Sequence, residues 1–267
     1  MSSIPISVKC KVTHQERILR LGIRGMSTKI MFINPVGTGA YDEYILSIIE
    51  RVRRKDAYPT VVHLPKGPDH LEYHYYEHLV TDDMLKEIRR AETEGFHAAV
   101  IGCFYDPGLR EARELVRMPV VGPAESTMLV ACTLGHKFSI LVGRRKWLPK
   151  MMDNARMYGL RERLASIRSL EIRVTEMLAE QKRLKESAAR EARAAVEEDG
   201  AEVIVMGCTL ESGFVDEMSR ALGVPMLDPV ITSWKFAEMQ ADMYSSLGIS
   251  HSKAYGYESP PKEEGWL

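Results

Sequence analysis

The chain has 267 residues, 36 of them Lys or Arg against 37 Asp or Glu, for a formal charge of −1. A duplex-binding protein carries a basic excess that neutralises phosphates, and a polybasic membrane binder carries one locally, so neither nucleic acid nor a membrane surface is expected as a partner. With 45% apolar and only 7% aromatic residues, the length suits one large or two small domains around an aliphatic core.

Residues 1–28 are expected to form an N-terminal extension. The segment carries Lys9, Lys11, Arg17, Arg20 and Arg24 but no apolar core or small-residue cleavage site, so it does not read as a secretory signal. The longest apolar runs, such as Ala98 to Phe104, fall far short of the roughly 20 residues that cross a bilayer. Cys10, Cys103, Cys132 and Cys208 are too few and too scattered for a disulfide framework or a Cys-x-x-Cys metal site, which points to thiols in a reducing, cytoplasmic compartment.

From residue 29 short β-branched runs alternate with helical periodicity, the pattern of an α/β fold on parallel strands. The expected strands are Lys29–Ile33, Thr60–His63, Ala98–Gly102, Val120–Val121, Phe138–Val142, Leu164–Ile167, Val203–Met206 and Met226–Leu227. Ile45, Ile48, Ile49 and Val52 share one helical face, which should be core. Glu180 to Glu198, rich in Ala, Glu, Lys and Arg, reads as a helix stopped by Asp199-Gly200.

The most informative feature is internal. Gly102-Cys103 matches Gly207-Cys208, and five residues after each cysteine comes a glycine, Gly108 or Gly213, followed by an amphipathic helix. Met118-Pro119-Val120-Val121-Gly122-Pro123 then corresponds to Val224-Pro225-Met226-Leu227-Asp228-Pro229, offset by one inserted residue. The chain therefore reads as two pseudosymmetric parallel-sheet α/β lobes from an internal duplication. The expected division is 29–122 plus 229–267 for one lobe and 123–228 for the other. Ligands of open parallel sheets sit outside the carboxyl ends of the strands, so the two cysteines should converge on one cleft between the lobes.

Asp106-Pro107 and Ser212 read as helix starts a few residues after each cysteine. A helix N-terminus lowers a nearby thiol pKa and offers N–H donors to an anionic oxygen. A thiolate so prepared can take a proton from a carbon next to a carbonyl, and a second thiol on the opposite face can return one. The alternative reading of any lone cysteine is core packing, which is the role expected of Cys132.

Other constellations are weaker. His70, His74 and His78 recur every four residues, but a turn at Gly67-Pro68 precedes them and no carboxylate completes a metal-binding motif, so no metal is expected. Gly37-Thr38-Gly39 lacks the third glycine of a dinucleotide fingerprint, since position 42 is Asp42. Asn34, at a strand end and fixed by Pro35, is placed either to point its amide into the shared cleft or simply to cap the turn.

Several segments together resemble the hydantoin and allantoin racemases of the aspartate/glutamate racemase superfamily. They are Ile33-Asn34-Pro35, Gly67-Pro68 running to Glu77, Cys103 with Asp106-Pro107-Gly108, and Val121-Gly122-Pro123-Ala124-Glu125. Further on come Glu197 to Glu202 leading into Gly207-Cys208, Val224-Pro225 with Asp228-Pro229, Leu247-Gly248 and Ser252-Lys253. The resemblance implies a homo-oligomeric, cofactor-independent racemase acting on a small molecule. It also implies Cys103 and Cys208 as the two bases, with Asn34, Phe104, Tyr105, Glu125, Gly207, Thr209 and Leu210 around the substrate. Thr209-Leu210-Glu211 and Val36-Gly37-Thr38 depart from the hydantoin pattern, while Phe104 and Tyr105 follow it. Amino-acid racemases and thiol-dependent isomerases or decarboxylases of the same fold stay open as alternatives. So does a non-catalytic two-lobed binder of small anions.

Overall fold

A computed structural model describes residues 27–261. The first half contains β1 (Thr28–Asn34), α1 (Asp42–Val52), β2 (Ala57–His63), α2 (His74–Thr93), β3 (Ala98–Ile101), α3 (Leu109–Leu115) and β4 (Val120–Val121). After α4 (Pro123–Leu134) come β5 (Phe138–Val142), α5 (Leu148–Met157), β6 (Leu164–Ser169), the single turn α6 (Val174–Met177) and α7 (Gln181–Glu197). The chain ends with β7 (Val203–Met206), α8 (Val215–Leu222), β8 (Met226–Leu227) and α9 (Pro229–Leu247). Residues 1–26 of the expected N-terminal extension, with Cys10, lie outside the described residues, and its last residue, Thr28, opens β1 instead.

The strands form two four-stranded sheets, β2-β1-β3-β4 and β6-β5-β7-β8, and every pairing is parallel. The same order twice is the duplication made visible. It is an α/β fold, as the alternation of patterns predicts.

Both faces of each sheet are buried, which is why the central strands are continuous apolar runs. In β1, Ile30 and Phe32 point to a core completed by Ile45, Ile48 and Ile49 of α1 and by Val230 and Trp234 of α9. Met31 and Ile33 point the other way, into a core that runs on to Ile140, Val142 and Val205 of the second sheet. The two halves thus share one apolar interior. Leu141, Ile204 and Met206 face a third cluster with Leu184, Ala188 and Ala192 of α7. Val52, expected on the core face of α1, is only half-buried against the cluster.

Some expected boundaries shift. β2 starts at Ala57, ahead of Thr60, and so contains Pro59, which an edge strand tolerates because its missing N–H faces away from the ladder. β6 continues past Ile167 to Ser169, where Arg168 is held by Asp199 and Glu198.

The expected helix starts after the cysteines are also corrected. α3 begins at Leu109 behind Gly108, whose φ of 63° favours glycine, and α8 begins at Val215 behind Phe214. Asp106 and Ser212 serve other ends. Asp106 accepts N–H bonds from Ala124 and Glu125 at 2.9 and 2.8 Å, so it caps α4, which starts behind the side-chain-free Gly122. In the second half Asp228 is itself the N-cap of α9, accepting from Val230 and Ile231, and Ser212 donates to it at 2.8 Å.

Candidate active site

Cys103 and Cys208 each lie two residues past a central strand, β3 and β7, and both line one small cavity of about 50 Å³. The turn that delivers each cysteine needs glycine. A Cβ on Gly102 would sit 2.7 Å from the Ile33 carbonyl oxygen, and one on Gly207 would sit 2.3 Å from that of Leu141. Those same oxygens accept the glycine N–H groups, at 2.7 and 2.6 Å, which locks both turns against the neighbouring strands.

The match extends to the donors around sulfur. Each thiol takes a hydrogen bond from the amide two residues on, Tyr105 for Cys103 and Leu210 for Cys208. Each cysteine carbonyl then accepts from the residue three on, Asp106 at 3.1 Å and Glu211 at 3.0 Å. Both of these residues are acidic and buried.

Electrostatically the cavity opposes ionisation. Burial pushes the Cys103 thiol well above its ordinary value, the Tyr105 N–H offsets part of this, and the charges of Glu77 and Asp106 add to it. Cys208 is raised by burial and then by the Glu211 carboxyl. The expectation of helix-lowered thiols is therefore overturned, because the helices begin six and seven residues downstream and no cation adjoins either sulfur closely enough to offset burial.

The two acids differ in their partners. Burial raises the Asp106 carboxyl to about 7 against the pull of the Tyr158 hydroxyl and the α4 amides. Burial also lifts Glu211 well above the carboxylate range. One of its oxygens accepts from the Gly207 N–H at 3.1 Å, and the other has no hydrogen-bond partner among the described residues.

Of the residues expected around the substrate, Asn34, Thr209 and Leu210 join the two cysteines on the cavity wall. Gly207 contributes the turn before Cys208, and Phe104 is buried in the apolar core. Tyr105 offers its amide to Cys103 while its ring stacks on Trp147, with centroids 3.9 Å apart. Glu125 lies elsewhere, paired to Arg113 in a separate hollow of about 540 Å³ on the far side of the Asp106 to Gly108 loop. That hollow is larger but holds neither cysteine.

Sequence reasoning missed Tyr41, Asp69, Leu71 and Val174 on the wall. It also missed the acids Asp106 and Glu211, whose signal was visible as an acidic residue three after each cysteine. The three histidines do not share a helical face. α2 begins only at His74, so His70 sits in the preceding loop and reaches the cavity while His74 packs on Trp147. No group of three metal-ligating side chains occurs among the described residues.

Comparison with known proteins places the fold in a family. The model of the family described as Asp/Glu/Hydantoin racemase matches residues 30–237. The hydantoin racemase of Pseudomonas sp. (strain NS671) is 36% identical over 236 residues, covering 88% of this chain and 93% of that protein. The hydantoin racemase of Paenarthrobacter aurescens is 33% identical over 237 residues, covering 88% and 99%. Among solved structures, allantoin racemase from Klebsiella pneumoniae superposes with a TM-score of 0.82 at 28% identity, over 88% of this chain and 94% of that one. The chain belongs to the Asp/Glu/hydantoin racemase family. It is an isomerase of the racemase and epimerase type.

Proposed function

We propose that the protein inverts the stereocentre next to a carbonyl in a 5-substituted hydantoin-like ring, of the hydantoin or allantoin kind, with Cys103 and Cys208 as the two bases. The observation that carries this reading is the meeting of two cysteines from equivalent turns of a duplicated fold in one cavity. One sulfur, as thiolate, takes the proton from the ring carbon, and the C–H electron pair moves onto the carbonyl as an enolate. The other sulfur, as thiol, gives its proton to the opposite face. The roles exchange for the mirror-image substrate, so no redox change or group transfer is needed.

Small-molecule pockets commonly measure about 300–1,000 Å³, so a cavity of about 50 Å³ must widen to admit a ring. Val174 and the Asp69 to Leu71 loop line it from outside the strands and are the groups to part. Closure around the ring would then leave the reacting carbon in a dry site where the Tyr105 and Leu210 amides are the donors available to the sulfurs.

The test is exchange with solvent. A single enantiomer of a 5-monosubstituted hydantoin or of allantoin in deuterated buffer should lose optical rotation while gaining deuterium at the stereocentre. Cys103→Ser and Cys208→Ser should each abolish inversion, because a serine hydroxyl is a far weaker acid than a thiol in the same surroundings. Undiminished racemisation in either variant removes the two-base assignment, and no exchange with any such ring removes the substrate class.

A further inference from the structure

Asn34 is the last residue of β1, paired across the sheet with His63 of β2, and Asp42 opens α1 directly above them. The three side chains form a chain of contacts. Asn34 Nδ2 donates to Asp42 Oδ1 at 2.5 Å, and Asp42 Oδ2 meets His63 Nδ1 at 2.7 Å. His63 is partly exposed, whereas Asn34 is buried at the cavity wall, so the chain runs from solvent to the site.

The chemistry of the middle member fixes the first. A carboxylate only accepts hydrogen bonds, so the atom of the Asn34 amide that faces Asp42 has to be the nitrogen. The oxygen is thereby turned the other way, toward the Gly102 turn, where a Cβ would stand only 2.8 Å from it. Gly102 and Asn34 both line the cavity beside Cys103. A free asparagine amide presents donor or acceptor with little preference, whereas one held by Asp42 presents an acceptor.

We propose that Asp42 is a positioning residue that locks the Asn34 amide with its carbonyl oxygen toward the cavity, so that the site selects ligands carrying a ring N–H donor. The inference rests on the ring substrate class proposed above and deepens it, since a cyclic ureide offers such an N–H beside the reacting carbon. His63 holds the second carboxylate oxygen and keeps Asp42 in register with the amide.

The lock can be tested by exchanging its polarity. 5,5-Dimethylhydantoin has the ring N–H groups but no hydrogen at the reacting carbon, so calorimetry reads its binding without any turnover. Asp42→Asn frees the amide to turn over, and Asn34→Asp sets two carboxylates against each other. Each should weaken binding about tenfold, the order expected for a buried hydrogen bond lost or misdirected.

The double variant Asn34→Asp with Asp42→Asn restores one donor facing one acceptor and again turns an oxygen to the cavity. It should bind within about threefold of the parent, a rescue that general loss of packing cannot give. Thermal unfolding of all four proteins checks that each is folded. Equal binding by the parent and Asp42→Asn, or a double variant no tighter than either single one, overturns the proposal, as does a parent that fails to bind the ring. A parent that binds and follows the swap pattern, yet shows no deuterium exchange with monosubstituted rings, leaves the lock standing and removes the proposed inversion of such rings alone.

Discussion

The hydroxyl of Thr209 donates a hydrogen bond to the carbonyl oxygen of Gly102 at 3.2 Å. The residue after the second cysteine is thus tied to the residue before the first. The bond spans the duplication and is buried, so it sets the separation of the two turns that carry sulfur. Thr209→Val keeps the shape but leaves a buried carbonyl unpaired, and should cost about 1–3 kcal/mol in urea unfolding. Thr209→Ser should recover most of that loss. Activity should fall in Thr209→Val by more than stability accounts for, because small displacements of reacting groups are costly.

The two cavity thiols should be sluggish. Burial raises both, so mass spectrometry after alkylation near pH 8 should show Cys103 and Cys208 labelling more slowly than a thiol in an unfolded peptide. Glu211→Gln removes the charge that acts on Cys208 and should speed its alkylation in the alkaline range, while leaving Cys103 unchanged. Equal acceleration of both cysteines would show a loosened cavity instead.

Glu125 and Arg113 form a largely buried ion pair, with 18% and 7% of their side chains exposed. Arg113 also donates to the Val120 carbonyl and the Tyr257 hydroxyl, so Glu125→Ala strands a cation inside that network. The expected loss is about 3 kcal/mol of stability, read by denaturant unfolding, with KM for a ring substrate unchanged. A raised KM at unchanged stability would return Glu125 to the substrate.

The segment after α9 is strapped to the first half. His251 accepts the Val120 N–H at 2.8 Å, and Ser250 and Lys253 donate to carbonyls of Arg117, Arg113 and Glu114. Burial, aided by the charges of Arg113 and Lys253, lowers His251 to about 4 from an ordinary 6.5. The unfolded chain takes up the proton first as pH falls, so the folded state loses stability from about pH 6.5 downward and has lost the contribution once pH passes about 4. Melting temperature should therefore drop across this range, and His251→Gln should flatten that part of the profile.

Much of this architecture was legible in the sequence, for identifiable reasons. Parallel strands buried on both faces are plain in runs such as Val203–Met206, and the duplication follows from Gly102-Cys103 and Gly207-Cys208 with their downstream glycines and prolines. Helix starts were misread because Asp106 and Ser212 have the right chemistry for capping but act on other helix ends, and only the folded chain brings Asp106 to Ala124. The thiol environment was misread for a related reason. A helix start counted in residues says nothing of how deeply the sulfur is buried. The cavity wall from Asp69 to Leu71 and Val174 lies on irregular segments with no periodicity to reveal it.

The two final helices have changed places. α4 follows the last strand of the first sheet yet packs on β5 and β7 of the second, and α9 follows the last strand of the second yet packs on β1 and β3 of the first. Each sheet is roofed by the other's closing helix, in the manner of a domain swap completed within one chain. Neither half is then a free-standing unit: 28–121 alone would lose the Val230 and Trp234 cover of its Ile30 and Phe32 face. Mixing the two fragments, each with its own terminal helix, should yield a folded particle only when both are present.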